Sequence, residues 1–227
     1  NNYFGICDVQ VKIITERCER LIIDNSQAFY SKPLNDVDTF YSPRKFFGVP
    51  DGAYLYIEKK MEKDLGHDVS YSKCDHLLGR IDIGAEDFYK SFIENDKSLI
   101  DEPIKKMSHL TRRILSSIKY KEIAEKRLFN FSLLHKKFEE VNQLKLDLES
   151  DAVPMIYPLL IKDGISLKKK LIEQKIYIPT YWPNIKILPF KNDCFEKQIK
   201  ENLIALPIDQ RYSQKEMNFI IESIKKN

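Results

Sequence analysis

The sequence predicts an α/β fold, and three observations lead to this prediction. A short apolar run from Leu21 ends in the acid Asp24, which is typical of a buried strand whose carboxyl end reaches solvent. Pro50-Asp51-Gly52 is a turn that leads into a second strand-like run, 53–57. Other stretches carry apolar residues at helical spacing. A chain in which these two patterns alternate is expected to pack helices against a sheet.

The N-terminal part of the chain is predicted to form a β-α-β unit. Tyr3-Phe4 resembles the end of a strand, and Asp8 can cap a helix that runs to about Arg20. Val11, Ile14 and Cys18 are predicted to lie on one side of this helix. The run 21–24 follows as the next strand. From 58 to about 84 the charge density rises, and we expect an exposed loop.

Three helices are predicted in the middle of the chain. The first covers 86–99. The second begins at Asp101-Glu-Pro103, because Asp caps a helix well and Pro suits its first turn. The third covers about 121–142 and presents an apolar stripe at helical spacing. We expect these helices to bridge a large domain and a small one.

The C-terminal part, after the acidic segment 147–151, is predicted to be a small α/β domain with the order β-α-β-α-β-α. Ser213 and Glu216 have the spacing of a capping box for the last helix. Before it, strands are predicted at 155–161, 177–183 and 203–206, and helices at 166–174 and 193–201.

The composition is that of an ordinary globular protein and argues against several functions. The chain has 227 residues, of which 43% are hydrophobic, and a net charge of +3 with scattered lysines, so nucleic-acid binding is not indicated. No apolar run approaches the length of a membrane helix, and a cytoplasmic location is expected. The four cysteines are widely spaced, so neither a disulfide framework nor a metal site is predicted.

Lys45 is the strongest candidate for a catalytic residue. It lies between an aromatic run and the turn 50–52, so we expect it in a short connection with aromatic walls. Desolvation there would lower its pKa until the neutral amine can attack a carbonyl group. Asp24 falls at the carboxyl end of a predicted strand, where ligands bind in open α/β sheets. The plainer alternatives are a solvated lysine and an aspartate that forms a turn.

Asp24, Gln27 and Lys45, followed by Gly-Val-Pro-Asp-Gly at 48–52, resemble the DegT/StrS family of pyridoxal-phosphate-dependent sugar aminotransferases. The resemblance implies a fold type I architecture in which 1–84 is the C-terminal part of the cofactor-binding large domain. By the same resemblance, 85–150 is a helical bridge and 151–227 is the small α/β domain. In the family, roughly a hundred residues of the large domain come before this point, so the chain is expected to lack the N-terminal third.

The resemblance also implies roles for individual residues. Lys45 would bind the aldehyde of pyridoxal 5'-phosphate covalently and later move a proton on the substrate. Asp24 would pair with the pyridinium nitrogen and keep it protonated. Gln27 would lie near the phenolic oxygen of the cofactor. Ser42 would donate a hydrogen bond to the phosphate, although it could equally be a turn residue before Pro43.

Two segments near the C-terminus also resemble the family. Tyr181 and Trp182 fall where the small domain runs a strand past the substrate, and Arg211 lies in a loop before the final helix. The resemblance implies that Tyr181 and Arg211 contact substrate, with Arg211 holding a donor carboxylate. Alternatively, the two aromatic residues pack between domains and Arg211 pairs with Asp209.

The function that the resemblance implies is transfer of an amino group from an amino acid to a keto sugar, in polysaccharide biosynthesis and by a homodimer. The sequence carries no glycine-rich phosphate motif, so the phosphate contacts would come from another segment, from a partner chain, or from nowhere. A non-catalytic relative with the same fold, acting as a partner subunit or remnant, is therefore the rival interpretation. A third is an unrelated α/β binding module, in which Asp24 and Lys45 would face different ways.

Overall fold

The computed structural model describes residues 1–59, 62–182 and 194–226. The chain divides into two compact units, Asn1–Tyr120 and Lys121–Asn227. The division falls inside the segment 85–150 that the sequence assigned to a bridge. The helices of that segment therefore belong to both units, and the division into three parts stays a prediction.

The first unit is built on a three-stranded sheet. Its strands are β1 (Ile22–Asn25), β2 (Asp38–Tyr41) and β3 (Tyr54–Tyr56), and β2 lies in the centre. β1 runs parallel to β2 with Asp24 opposite Phe40, and β3 runs antiparallel to β2. The sequence predicted β1 and β3 but not β2. Because β1 and β2 are parallel, their carboxyl ends lie at the same edge of the sheet.

The helices of the first unit are α1 (Asp8–Thr15), α2 (Asp75–Asp82), α3 (Tyr89–Ser98) and α4 (His109–Ser116). The prediction for α1 was too long, since the helix ends at Thr15, and Ile14 and Cys18 are exposed. The prediction of a loop throughout 58–84 was wrong, because α2 forms there. Gly79 of α2 lies so close to the ring of Phe88 that a Cβ atom would clash with it. Only glycine leaves room for this ring at position 79.

The prediction that Tyr3-Phe4 ends a strand was also wrong. Residues Tyr3–Gly5 form one 3-10 turn, in which Phe4 has a φ of 57° and Gly5 a φ of 69°. Both values lie in the left-handed region, which no strand residue adopts. The turn is nevertheless packed into the unit, since Phe4 is buried.

The Pro50-Asp51-Gly52 turn fixes the start of α4. Asp51 is buried and accepts hydrogen bonds from the backbone N of Ser108 (2.8 Å), the Oγ of Ser108 (2.8 Å) and the Oγ1 of Thr111. The Ser108 Oγ in turn accepts from the backbone N of Thr111 and so caps the helix. The predicted start at 101–103 was therefore wrong, because the turn supplies a stronger cap. Gly52 has a φ of 99°, and a Cβ there would meet Met107.

The second unit contains α5 (Tyr120–Phe138), β4 (Ile156–Leu160), α6 (Gly164–Glu173), α7 (Phe195–Asn202), β5 (Leu203–Pro207) and α8 (Gln214–Lys225). β4 and β5 pair antiparallel, and every residue of β4 is buried. The predicted capping box of Ser213 and Glu216 is confirmed at α8. The predicted strand 177–183 is wrong over 177–182, which is irregular, while Pro183 and the predicted helix start at Asp193 lie outside the described residues.

Two negative findings apply to the described residues. Among them, no helix combines the length and the apolar character that a membrane span requires. In the same ranges, no three His, Cys, Asp or Glu side chains are grouped so that they could hold a metal ion.

We predict that Asp51→Ala lowers the free energy of unfolding by about 3 kcal/mol, because it leaves buried donors of Ser108 and Thr111 without an acceptor and removes a charged hydrogen-bond partner. Urea unfolding followed by circular dichroism measures this change. Asp101→Ala, which removes an exposed carboxylate, is the matched control. Equal stability of the two variants would contradict the role of Asp51.

Candidate active site

The candidate site lies where the polypeptide leaves the carboxyl ends of β1 and β2. Asp24 is the second-to-last residue of β1, and Ser26 follows directly after the strand. From β2 the chain enters a single 3-10 turn, Pro43–Lys45, which ends at the candidate lysine. Since the two strands are parallel, both connections emerge at one edge of the sheet. The topology therefore brings together residues that are about twenty positions apart in the sequence.

The amine of Lys45 is directed to the connection that follows β1. Its Nζ donates a hydrogen bond to the Oγ of Ser26 at 2.9 Å. Desolvation lowers the pKa of the Lys45 amine, and the charge of Asp24 acts in the opposite direction. The residue nevertheless keeps an exposed surface. The site thus combines access from solvent with an environment that favours the neutral amine.

The loop that carries Lys45 is held by the two residues that follow it. Phe46 and Phe47 are only 3% and 5% exposed. Both rings pack against Phe29, with centroid distances of 5.8 and 4.8 Å. Phe29 also stacks on Tyr120. The aromatic residues that follow Lys45 therefore anchor the loop, while Lys45 itself is exposed.

Asp24 is half-buried at the same edge. Its Oδ1 accepts a hydrogen bond from the backbone N of Ser26 at 2.8 Å, and its backbone carbonyl accepts from the N of Asn2 at 3.0 Å. Among the described residues, no hydrogen bond reaches its other carboxylate oxygen. One oxygen therefore fixes the orientation of the side chain, and the second remains for a ligand.

Gln27 and Ser42 are less clearly available to a ligand. Gln27 is 7% exposed, and its Oε1 accepts a hydrogen bond from the backbone N of Phe4 at 3.3 Å. Its side-chain nitrogen is the part that could meet a ligand. Ser42 precedes the 3-10 turn, its side chain does not cap that turn, and its carbonyl accepts from the N of Lys45 at 3.4 Å. The backbone of Ser42 thus takes part in the turn, while its hydroxyl does not cap it.

The predicted substrate residues lie in the second unit. The side chain of Arg211 forms a two-point ion pair with Asp209, with Nε–Oδ1 at 2.7 Å and Nη2–Oδ2 at 2.9 Å. This is the alternative that the sequence left open. Tyr181 is half-buried, and desolvation raises its pKa to about 12. Its ring lies beside that of Trp182, with 5.5 Å between the ring centroids.

The loop that carries Arg211 is fixed from α5. Asn130 is fully buried, and its Nδ2 lies within hydrogen-bond distance of three loop carbonyls, those of Ile208 (3.2 Å), Asp209 (3.2 Å) and Tyr212 (3.1 Å). Arg127, also buried, donates to Gln210 of the same loop. The sequence did not indicate either residue, because both lie in a stretch whose apolar stripe suggested only packing.

Sequence reasoning missed two residues of the site at the sheet edge. Ser26 bonds both Lys45 and Asp24, and its position between the predicted residues 24 and 27 was the available signal. Asn2 is 1% exposed and ties the N-terminal turn to the unit through its Nδ2, which donates to Asp8 (2.6 Å). No motif marked Asn2, since its backbone contact with Asp24 and the contact of its Nδ2 with the Oγ of Ser31 (3.2 Å) both join residues distant in sequence.

Comparison with known proteins places the fold. No protein-family model matches the sequence, and no curated protein sequence matches it. The structure is similar to a DegT DnrJ EryC1 StrS aminotransferase from Brucella abortus, with a TM-score of 0.55 and 13% identity over 99% of this chain and 62% of that one. It is also similar to Spr1654 of Streptococcus pneumoniae, assigned as a sugar aminotransferase and solved in its PLP-form, with a TM-score of 0.54 and 16% identity over 90% of this chain and 56% of that one. DesV of S. venezuelae, solved with a ketimine intermediate, gives a TM-score of 0.58 and 11% identity over 99% of this chain and 63% of that one.

The chain therefore has the fold of PLP-dependent aminotransferases of fold type I. The resemblance to the DegT/StrS family that the sequence predicted is confirmed at the level of the fold. At 11 to 16% identity, the likeness to these three structures shows the fold alone. The chain spans between 56 and 63% of the length of these proteins.

We predict that Lys45 reacts with an amine reagent at lower pH than an exposed lysine, because its lowered pKa leaves more neutral amine below the usual lysine range. Competitive acetylation across a pH series, read by peptide mass spectrometry, gives the pH of half-maximal labelling for each lysine. Lys121, whose side chain is 91% exposed, is the reference within the same chain. A common midpoint for the two lysines would contradict the prediction.

Proposed function

We propose that this chain is the catalytic part of a pyridoxal-phosphate-dependent aminotransferase that moves an amino group from an amino acid to a keto group on a nucleotide-linked sugar. The observation that carries the proposal is the convergence of the Lys45 amine and the Asp24 carboxylate on Ser26 at one edge of the sheet. The fold shared with sugar aminotransferases supports the substrate class.

The residues at this edge fit the reactive end of pyridoxal 5'-phosphate. An amine of lowered pKa suits the aldehyde of the cofactor, and a carboxylate with one oxygen available suits its ring nitrogen. When bound, the cofactor withdraws electrons from the substrate carbon that bears the amino group. Lys45 and Asp24 would hold it, with Gln27 contributing its side-chain nitrogen and Ser42 a hydroxyl.

Lys45 has two tasks in this proposal. As a neutral amine it attacks a carbonyl group, and as a base it takes a proton from the substrate carbon and returns it to the product. The anchored loop limits the motion of Lys45 to its own side chain, because Phe46 and Phe47 are buried. A base held in this way stays close to the carbon that it serves.

Asp24 supplies a negative charge at a defined position. The hydrogen bond from the backbone N of Ser26 fixes the orientation of the carboxylate and leaves its other oxygen for the ring nitrogen. A carboxylate there would keep a ring nitrogen protonated. The same charge opposes the lowering of the Lys45 pKa, so the site must separate the two groups.

Several finer expectations from the sequence belong to this proposal. They are substrate contacts by Tyr181 and Arg211, a cytoplasmic location, a role in polysaccharide biosynthesis, and a homodimer. Arg211 would contact substrate after its release from Asp209.

For the homodimer, the first unit exposes large apolar side chains on and beside α2 and α3. They include Leu78 (62% exposed), Ile81 (78%) and Tyr89 (62%). Such surfaces are typical of protein interfaces.

The rival function is that of a non-catalytic relative acting as a partner subunit or remnant. One observation favours it. The Gln27 side chain is buried and its oxygen is bonded to the backbone of Phe4, which is a structural role. An unrelated binding module is disfavoured, because Asp24 and Lys45 meet at one edge of the sheet. The two remaining functions differ in whether Lys45 captures the cofactor.

We predict that adding pyridoxal 5'-phosphate to the purified chain produces a visible absorbance band, and that borohydride attaches the cofactor to the peptide containing Lys45. Lys45→Ala should abolish the band, because the attacking amine is removed. The control is Lys168→Ala. Lys168 also has a pKa lowered by desolvation but lies in the second unit, so this variant should keep the band.

A band that persists in Lys45→Ala would mean that another lysine captures the cofactor, and the proposed site would be wrong. No band in the unaltered chain, or label spread over surface lysines, would favour the non-catalytic relative. The absorbance spectrum shows whether a band forms, and the peptide map shows which lysine carries the label.

We predict that Asp24→Asn still captures the cofactor but slows the loss of the visible band after L-glutamate is added, by about 100-fold or more, because a neutral amide does not keep the ring nitrogen protonated. Stopped-flow absorbance measures this rate. Asp38→Asn, at the opposite end of the neighbouring strand, is the control and should react at the unaltered rate. Similar rates for the two variants would exclude the proposed role of Asp24.

A further inference from the structure

Ser26 is the residue that contacts both candidate functional side chains. Its Oγ accepts a hydrogen bond from the Lys45 Nζ at 2.9 Å, and its backbone N donates one to the Asp24 Oδ1 at 2.8 Å. The two bonds use different groups of the same residue. Ser26 therefore stands between the amine and the carboxylate.

The charges around Lys45 make this position significant. Asp24 is near enough for its charge to raise the pKa of the amine, yet the described residues include no ion pair between Asp24 and Lys45. The other charged groups that act on the amine are Arg44, on the same 3-10 turn, and Asp96, on α3. These two form an ion pair with each other at 3.0 Å. Asp24 is thus the carboxylate that remains for Lys45.

We propose that Ser26 is a positioning residue whose neutral hydroxyl holds the Lys45 amine and keeps it from forming an ion pair with Asp24. The importance of this arrangement for catalysis rests on the function proposed above, in which Lys45 attacks as a neutral amine and Asp24 serves the ring nitrogen. Ser26 contacts the reacting amine of Lys45 through a hydrogen bond and forms no covalent bond in the reaction itself. It acts through Lys45.

The physical reason lies in the strength of the competing bonds. An ion pair with a carboxylate stabilises the ammonium form and raises the pKa of a lysine. A hydrogen bond to a neutral hydroxyl is weaker and favours the ammonium less. A lysine released from Ser26 would turn to Asp24, because the other carboxylate that acts on the amine, Asp96, is already paired with Arg44. Its neutral fraction, and with it its reactivity, would fall.

The test is competitive acetylation of the whole chain without cofactor, with Lys121 as internal reference. We expect Ser26→Ala to raise the pH of half-maximal labelling of Lys45, so that labelling at about pH 8.5 falls roughly threefold or more. Ser26→Thr keeps the hydroxyl and should restore the original midpoint. Adding Asp24→Asn to Ser26→Ala removes the competing carboxylate and should lower the midpoint again. Ser116→Ala, which removes a hydroxyl bonded within α4, is the matched control and should change nothing.

The proposal is overturned if the midpoint of Lys45 in Ser26→Ala is unchanged or lower, or if Ser26→Thr behaves like Ser26→Ala. Circular dichroism establishes that each variant is folded, and Ser26→Gly replaces Ser26→Ala if the latter is not. Because labelling needs no cofactor, its result is independent of the absorbance band. A shifted midpoint with no band would support the positioning role and favour the non-catalytic relative. A band with no shift would overturn the positioning role and support the aminotransferase function.

Discussion

The parallel pairing of β1 with β2 is the constraint on which the candidate site depends. Strands of four residues are about 13 Å long, so reversing β2 would move the Lys45 turn to the far edge of the sheet. No side chain could then connect it to Asp24. The lysine and the aspartate meet because both follow strands that point the same way. The site therefore depends first on the direction of the two strands, and only then on the side chains that follow them.

The second requirement is that an exposed amine be carried by a fixed backbone. The loop meets this requirement from two sides. Phe46 and Phe47 enter the aromatic cluster around Phe29, and Asp51 accepts three hydrogen bonds at the start of α4. Lys45 precedes the two phenylalanines in the sequence and belongs to neither anchor. Its side chain can therefore serve a ligand. Sites supported in this way keep their geometry without using the functional side chains themselves.

The site also has to balance two opposing electrostatic demands. A nucleophilic lysine needs a lowered pKa, whereas a carboxylate for a ring nitrogen is most effective nearby, where it raises that pKa. Burial supplies the first effect, and Asp24 supplies the second. Ser26 lies between the two groups and bonds both of them. A neutral residue in that place allows a lysine and an aspartate to work at one edge without neutralising each other.

The sequence by itself determined the local features, which depend on residues close to one another along the chain. It predicted β1, β3, the long helix α5 and the capping box of Ser213 and Glu216, because apolar periodicity, turn residues and caps act within a few positions. It also singled out Asp24 and Lys45. It did not predict β2, whose formation depends on pairing with β1 and β3, nor α2, where Gly79 makes room for the ring of Phe88. Only the tertiary structure decided that Ser26 joins Asp24 to Lys45, that Gln27 bonds Phe4, and that Arg211 pairs with Asp209, because each of these contacts depends on how loops are folded in space.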